Sequence, residues 1–219
     1  MTTAATYSME RTFVLPGQTA TRAEDSELLE RCRAGDIGAF REIYLQNKTS
    51  VFRIVARMIS VPADQEEVTQ EVFLQVFRSL SSFRGTARLA TWIHRVTMNV
   101  ILQHIRRKKS RIRLHFDGDD SLERTPALLA SSSAANPEEH IVSLERRRAV
   151  ERALGALSTK KRAALILHDF EGMQAKEISE IVGAPVLTVR TRVFYARREF
   201  YRRLSAEPAF ADVQLDEEA

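Results

Sequence analysis

Residues 175–200 read AKEISEIVGAPVLTVRTRVFYARREF, and the way this stretch folds decides the class of the whole chain. Ile178 and Ile181 or Val182 recur at three- and four-residue steps, which predicts a short helix over 175–182. Gly183-Ala184-Pro185 then predicts a sharp turn, because glycine tolerates a left-handed backbone and proline disfavours helix in the residue before it. A second helix is expected from Leu187 or Thr188 to Leu204, packed through Val189 and Val193. Two helices about such a turn make a helix-turn-helix. The N-terminal half of the second helix would present Thr188, Arg190, Thr191, Arg192 and Tyr195 to base edges and phosphates in a major groove. Arg197, Arg198, Arg202 and Arg203 would remain for the DNA backbone. An αα-hairpin used for protein packing is the alternative. The acid-free first half of that helix and its basic outward residues favour DNA.

Working toward the N-terminus, Pro137-Glu-Glu is a sound helix start, followed by Val142, Leu144, Val150, Leu154 and Leu157. Ser158 is expected to cap the next helix, which runs to about Phe170, and Glu171-Gly172 turns the chain into the motif. These elements form a body over residues 138–204. Before it, residues 114–137 carry FDGDDS and ASSSAANP with no apolar period, the composition of a flexible linker. Beyond it, residues 205–219 form an acidic tail expected to fray.

The N-terminal body spans 25–113, after an arm over 1–24 of low hydrophobicity. Ser26 can cap a short helix bearing Leu28, Leu29 and Cys32 and ending at Gly35. Asp36 caps a longer one to about Met58, with Ile37, Phe40, Ile43, Tyr44, Val51, Ile54 and Val55 at helical spacing. Val61-Pro62 breaks it. Asp64 with Glu67 suggests the next cap, on a helix to about Leu80. Val68, Val72, Phe73, Val76, Phe77 and Leu80 lie on one side of that helix, and Glu67, Gln70, Glu71 and Leu74 on or near the other. Ser81 to Arg88 is a loop around Gly85. A last helix from about Leu89 to Arg111 has Trp92, Ile93, Val96, Val100 and Ile101 as its core stripe. Arg95, Asn99, Gln103 and the Arg106-Arg107-Lys108-Lys109 run face outward.

Within this body, residues 72–116 contain no Asp or Glu but ten Arg and Lys, interleaved with Phe77, Phe83, Trp92 and Phe116. Positive charge alternating with flat rings suits a polyanion whose bases can be stacked upon, although most charge runs are merely solvated faces. The chain of 219 residues has a net charge of +4. That balance is uneven, because residues 25–113 hold sixteen bases against nine acids, about +7, and residues 138–204 hold fourteen against nine, about +5. Cys32 is the sole cysteine, so no disulfide framework is available. No apolar run is long enough to span a membrane and no signal pattern stands at the N-terminus, so a cytoplasmic protein without membrane insertion is expected. Scarce Gly and Pro with abundant Leu, Ala, Arg and Glu give an all-α expectation: two small helical domains joined by a flexible linker, the second containing the helix-turn-helix.

DQEEVTQEVFLQVFRSLSSFRG at 64–85 and LATWIHRVTMNVILQHIRRKK at 89–109 resemble region 2 of bacterial RNA polymerase sigma factors. LGALSTKKRAALILHDFEGMQAKEISEIVGAPVLTVRTRVFYARREF at 154–200 resembles their region 4. With only these two regions, the chain is similar to the extracytoplasmic function (ECF) group of the sigma-70 family. The resemblance implies contact with core RNA polymerase, at the clamp helices of its largest subunit and at the flap. Glu67, Gln70, Glu71, Leu74 and Phe77 would make the clamp contact. It further implies that Arg84, Arg88, Trp92, Arg95, Asn99, Arg106, Arg107 and Lys108 open and hold the −10 element as single strands. Lys176, Leu187, Thr188, Arg190, Thr191, Arg192, Tyr195 and Arg197 would read the −35 element as duplex. An anti-sigma factor in trans is the implied control, and no cofactor or metal is expected. Two departures bear on promoter choice: Leu187 stands where glycine commonly follows Pro-Val, and Tyr195 replaces a basic residue common before Ala-Arg.

An enzyme is disfavoured, since there is no phosphate-cradling glycine loop, HExxH or G-x-S-x-G and the histidines lack metal spacing. A stand-alone helix-turn-helix regulator remains the alternative; it would bind duplex DNA without polymerase.

Overall fold

The computed structural model describes residues 22–83, 85, 88–115, 137–211 and 213. The expectations for the arm before residue 22, for Arg84, for the linker over 116–136 and for the tail over 214–219 lie outside the described residues. Among the described residues there is no strand. The helices are α1 (Arg22–Arg33), α2 (Ile37–Met58), α3 (Pro62–Ser79), α4 (Leu89–His115), α5 (Pro137–Ala156), α6 (Thr159–Leu165), α7 (Ala175–Val182) and α8 (Val186–Ser205). They fall into two compact units, one with α1–α4 and one with α5–α8.

In the first unit α2, α3 and α4 pack against one another around Ile43, Val51, Ile54, Val68, Val72, Val76, Ile93, Met98 and Ile101. Burying each such side chain contributes about 1.5–3 kcal/mol, so this apolar seam is what holds the three helices together. Asp36 caps α2 as its sequence predicts, accepting from the Gly38 and Ala39 amides. Ile37 is nevertheless 81% exposed, because it is the first residue of α2 and lies well round the helix from the stripe that includes Ile43. Helix α1 starts at Arg22, so Ser26 is an interior residue and not a cap. Asp25 instead accepts from the Leu89 amide at the start of α4, 3.3 Å away.

Asp64 does not cap α3. Val61 occupies the cap position and Pro62 the first helical residue, where its fixed φ is preorganised and its missing amide costs nothing. That frees the Asp64 carboxylate for α4, where Lys108 and His104 donate to it. The buried amide at the α2–α3 corner is Gln65, whose Nε2 donates to the Ile59 carbonyl at 2.8 Å. Phe77, expected on the core side, is 59% exposed. Nine residues separate it from the buried Val68, about two and a half turns, so it must point the opposite way.

The second unit is built on Leu154, Leu157, Leu165, Ile166, Leu167, Ile178, Val189, Phe200 and Leu204. Ser158 stands at the start of α6, but its side chain makes no capping bond. After Leu165 the helix widens into a π-helical segment, Ile166–Phe170, closed by the Glu171 amide on the Ile166 carbonyl. Gly172 and Gly183 take positive φ, +65° and +62°, at the two turns that flank α7. The side chains of Ile178, Ile181, Val189 and Val193 are buried as the motif requires, and α8 begins one residue earlier than expected, at Val186.

The start of the tail does not fray. Pro208–Phe210 form a 3-10 turn that returns to α5. There Arg152 Nε donates to Glu207 at 3.0 Å, Arg146 Nε donates to the Ala209 carbonyl at 3.2 Å, and the Arg146 guanidinium lies 5.9 Å from the Phe210 ring centre.

Candidate nucleic-acid interface

On α3, Glu67, Gln70, Glu71, Leu74 and Phe77 follow one another at steps of three, one, three and three, and so fall on one stripe, turned away from Val68, Val72 and Val76. Leu74 is 54% exposed, and the Phe77 ring rests edge-on against Phe40 at 4.8 Å. Acid, amide and exposed apolar groups on one face have the make-up of a protein-binding surface.

On α4, Arg88, just before its first residue, and Trp92, Arg95, Asn99 and Arg106 share another stripe. Arg88, Arg95, Asn99 and Arg106 are exposed, and the eighteen residues from Arg88 to Arg106 make five turns. Trp92 is half-buried, its ring centre 5.2 Å from that of Phe83, which itself is buried. The indole is therefore partly covered by Phe83 and partly accessible within the stripe. Arg107 and Lys108 are turned elsewhere. Arg107 Nη2 donates to both carboxylate oxygens of Glu71, at 2.9 and 3.0 Å, and Lys108 pairs with Asp64. The basic run is therefore partly compensated from α3, and a residue of the α3 stripe is tied directly to one of the basic run. Burial pushes the Asp64 carboxyl up, but hydrogen bonds and charge from Lys108 and His104 outweigh it and hold it below the usual range.

Beneath the α4 stripe lies a group absent from the sequence-derived site, His94. It is buried, with Nε2 3.0 Å from Ser50 Oγ, and burial together with the nearby Arg53 charge pushes its pKa down to about 4. The imidazole is neutral at physiological pH. Its place on the buried side of a regular helix is legible from spacing with Ile93 and Ile101, but its partner Ser50 is not.

In the second unit, Leu187, Thr188, Thr191, Arg192 and Tyr195 of α8 line an open cavity of about 290 Å³ with Lys161 of α6. Arg190 is exposed beside it, and Lys176 is exposed on α7. Arg197 is not grouped with them. Its guanidinium grips Asp169 in the π-helical segment, Nε to Oδ2 at 2.8 Å and Nη2 to Oδ1 at 2.6 Å, while His168 Nδ1 lies 2.6 Å from Oδ1. Burial raises the Asp169 carboxyl, yet the bonds from His168 and Arg197 hold it below its ordinary value. Arg197 is thus committed to joining α6 and its π-helical extension to α8. Lys161 likewise pairs with Glu199 at 2.9 Å.

Among the described residues no cluster of three His, Cys, Asp or Glu could hold a metal ion, and no helix is long and apolar enough to cross a membrane. What remains is a two-unit helical protein with a polyanion-suited stripe in one unit and a helix-turn-helix in the other.

The sequence families described as Sigma-70 region 2 and Sigma-70, region 4 match residues 43–111 and 147–200. The ECF RNA polymerase sigma-E factor of Escherichia coli K12 is 31% identical over 173 residues, covering 79% of this chain and 90% of that protein. The RNA polymerase sigma-H factor of Pseudomonas aeruginosa is 29% identical over 187 residues, covering 84% and 95%. In three dimensions the chain is similar to the sigma factor RpoE of Bartonella quintana, solved in complex with the anti-sigma factor NepR. The TM-score is 0.64, at 18% identity, over 78% of this chain and 99% of that one. CnrH, solved with the cytosolic domain of CnrY, gives a TM-score of 0.59 at 19% identity, covering 84% and 98%. The chain belongs to the ECF sigma factors of the sigma-70 family, and it is a non-enzymatic, promoter-directing initiation factor.

Proposed function

We propose that the two helices of the first unit divide the work of initiation. The α3 stripe of Glu67, Gln70, Glu71, Leu74 and Phe77 docks on the clamp helices of core RNA polymerase. The α4 stripe of Arg88, Trp92, Arg95, Asn99 and Arg106, with Arg84 from the preceding sequence, holds the −10 element as it opens. Stacking on an aromatic ring is worth about 1–3 kcal/mol per base, which offsets part of the few kcal/mol that unstacking one base costs. In the second unit α8 enters the −35 major groove through Leu187, Thr188, Arg190, Thr191, Arg192 and Tyr195, with Lys176 of α7 on the phosphates. The flap of the polymerase is the protein contact proposed for this unit. Arg107, Lys108 and Arg197 act from behind, as positioning residues.

The observation that carries this reading is the segregation of an acidic, apolar stripe on α3 from a basic, aromatic and amide stripe on α4. Two partners of opposite chemistry are served by adjoining helices. Two similar structures are complexes, one with an anti-sigma factor and one with the cytosolic domain of CnrY. On that basis an anti-sigma factor is proposed to cover the same stripes here, in the cytoplasm. The test pairs two assays, co-purification with core polymerase and opening of promoter DNA by the assembled holoenzyme. Leu74→Ser should abolish the first, while Asn99→Ala should leave the first intact and reduce the second. Loss of core binding in both variants, or in neither, would contradict the division of roles.

A further inference from the structure

On α8, Leu187, Thr191 and Tyr195 stand one turn apart along a single stripe. Leu187 is 74% exposed and Tyr195 50% exposed, so two large side chains with apolar bodies face outward in the N-terminal half of the helix, the part of such a helix that meets base edges. Between them the Thr191 hydroxyl donates to the Leu187 carbonyl at 2.9 Å. With its hydroxyl proton committed to the backbone, Thr191 cannot donate to a base edge and offers the groove its methyl group. Arg192 borders the cavity that these three line, next to Lys161, which is paired with Glu199, and Arg190 is exposed on the same helix, which places arginine charge where phosphates would flank an apolar centre.

In the major groove the base feature matched by apolar atoms is the C5 methyl of thymine; the other edge groups are hydrogen-bond donors and acceptors. We propose that Leu187, Thr191 and Tyr195 form an apolar reading stripe for thymine methyl groups in the upstream promoter element. This rests on the reading of α8 as the duplex-facing helix. The specificity at the methyl comes from shape and burial, so it discriminates thymine from cytosine, which lacks that methyl, independently of any hydrogen bond that the Tyr195 hydroxyl makes.

The test separates methyl from hydrogen bonding. Core polymerase reconstituted with the full chain is screened on genomic fragments, and the upstream duplex of a transcribed fragment is rebuilt with deoxyuridine for thymidine, one position at a time. Deoxyuridine keeps every donor and acceptor and removes only the methyl. At one or more positions holoenzyme affinity should fall about fourfold, the worth of one buried methyl group. Leu187→Ala, Tyr195→Ala and Thr191→Ser, the last retaining the hydroxyl, should each erase the penalty at a position where the parent chain shows it. Thermal melts of these exposed-site variants confirm that the fold is kept. The inference is overturned if no position responds to deoxyuridine, or if the penalties are unchanged in all three variants. Transcription without a methyl effect brings down this inference alone, whereas the absence of any polymerase-dependent transcript brings down the reading beneath it as well.

Discussion

Acidification should loosen the first unit through one residue, His94. The ring is 3% exposed and its pKa is pushed from 6.5 to about 4, first by burial and then by the charge of Arg53. A depressed folded pKa means that, between those two values, the unfolded chain binds a proton that the folded chain refuses. The resulting stability is fully present above about pH 6.5 and is lost as pH falls toward 4. At 1.36 kcal/mol per pKa unit, the whole shift corresponds to about 3 kcal/mol, and the part lost by about pH 5 to about 2 kcal/mol. Against a typical domain stability of about 5–15 kcal/mol this is a measurable fraction. The assay is urea unfolding followed by tryptophan fluorescence, because Trp92 is the only tryptophan and reports the first unit alone. His94→Gln keeps a hydrogen-bonding side chain for Ser50 but cannot titrate. From about pH 7.5 to about pH 5 the parent should lose about 2 kcal/mol more than the variant. Carboxylates such as Asp64, held below an ordinary value of 3.8, shed their stability at lower pH and are common to both chains. Parallel losses in the two proteins would refute the assignment.

Other substitutions sort the cations by role. Arg106→Ala should weaken promoter binding and reduce its logarithmic salt slope by about one, as one lost phosphate contact requires, while Arg107→Ala should change the slope less. Arg197→Ala should destabilise the second unit by about 2 kcal/mol in a thermal or urea melt, below the range for a fully buried broken pair because both partners are partly exposed, and Arg197→Lys should not restore it. Leu74→Ser and Phe77→Ser should shift folding stability by less than about 1 kcal/mol while sharply reducing core-polymerase association in a pull-down, since both side chains already face outward.

Local pattern made much of the fold legible. The bounds of helix α7, Ala175–Val182, are legible because an apolar step pattern ends on a glycine that takes a left-handed backbone. The Asp36 cap and the break at Val61-Pro62 were legible for the same reason, being decided within a few residues. Local pattern misleads where two local rules compete. Asp64 has the look of a cap, but Pro62 two residues earlier satisfies the helix start and releases the carboxylate to α4. Phe77 has a core side chain but not a core angle around α3. The Glu71–Arg107 and Asp169–Arg197 pairs join residues 36 and 28 positions apart, so no spacing rule could reveal that these cations were already engaged. The docking of Glu207 on Arg152, across 55 positions, was hidden in the same way by an acidic composition typical of a free tail.

Run-off transcription with core bacterial RNA polymerase, with and without the full chain, on genomic fragments that include the one upstream of its own gene, shows whether the protein initiates at promoters. Discrete transcripts should appear that require the protein, that vanish with Gln70→Ala combined with Leu74→Ser while the fold is retained, and that diminish with Asn99→Ala. Gln70 and Leu74 are preferable to Glu71 here, since replacing Glu71 would also release Arg107. Tight binding of the protein alone to a duplex, with no polymerase-dependent transcript from any fragment, would contradict a role in initiation.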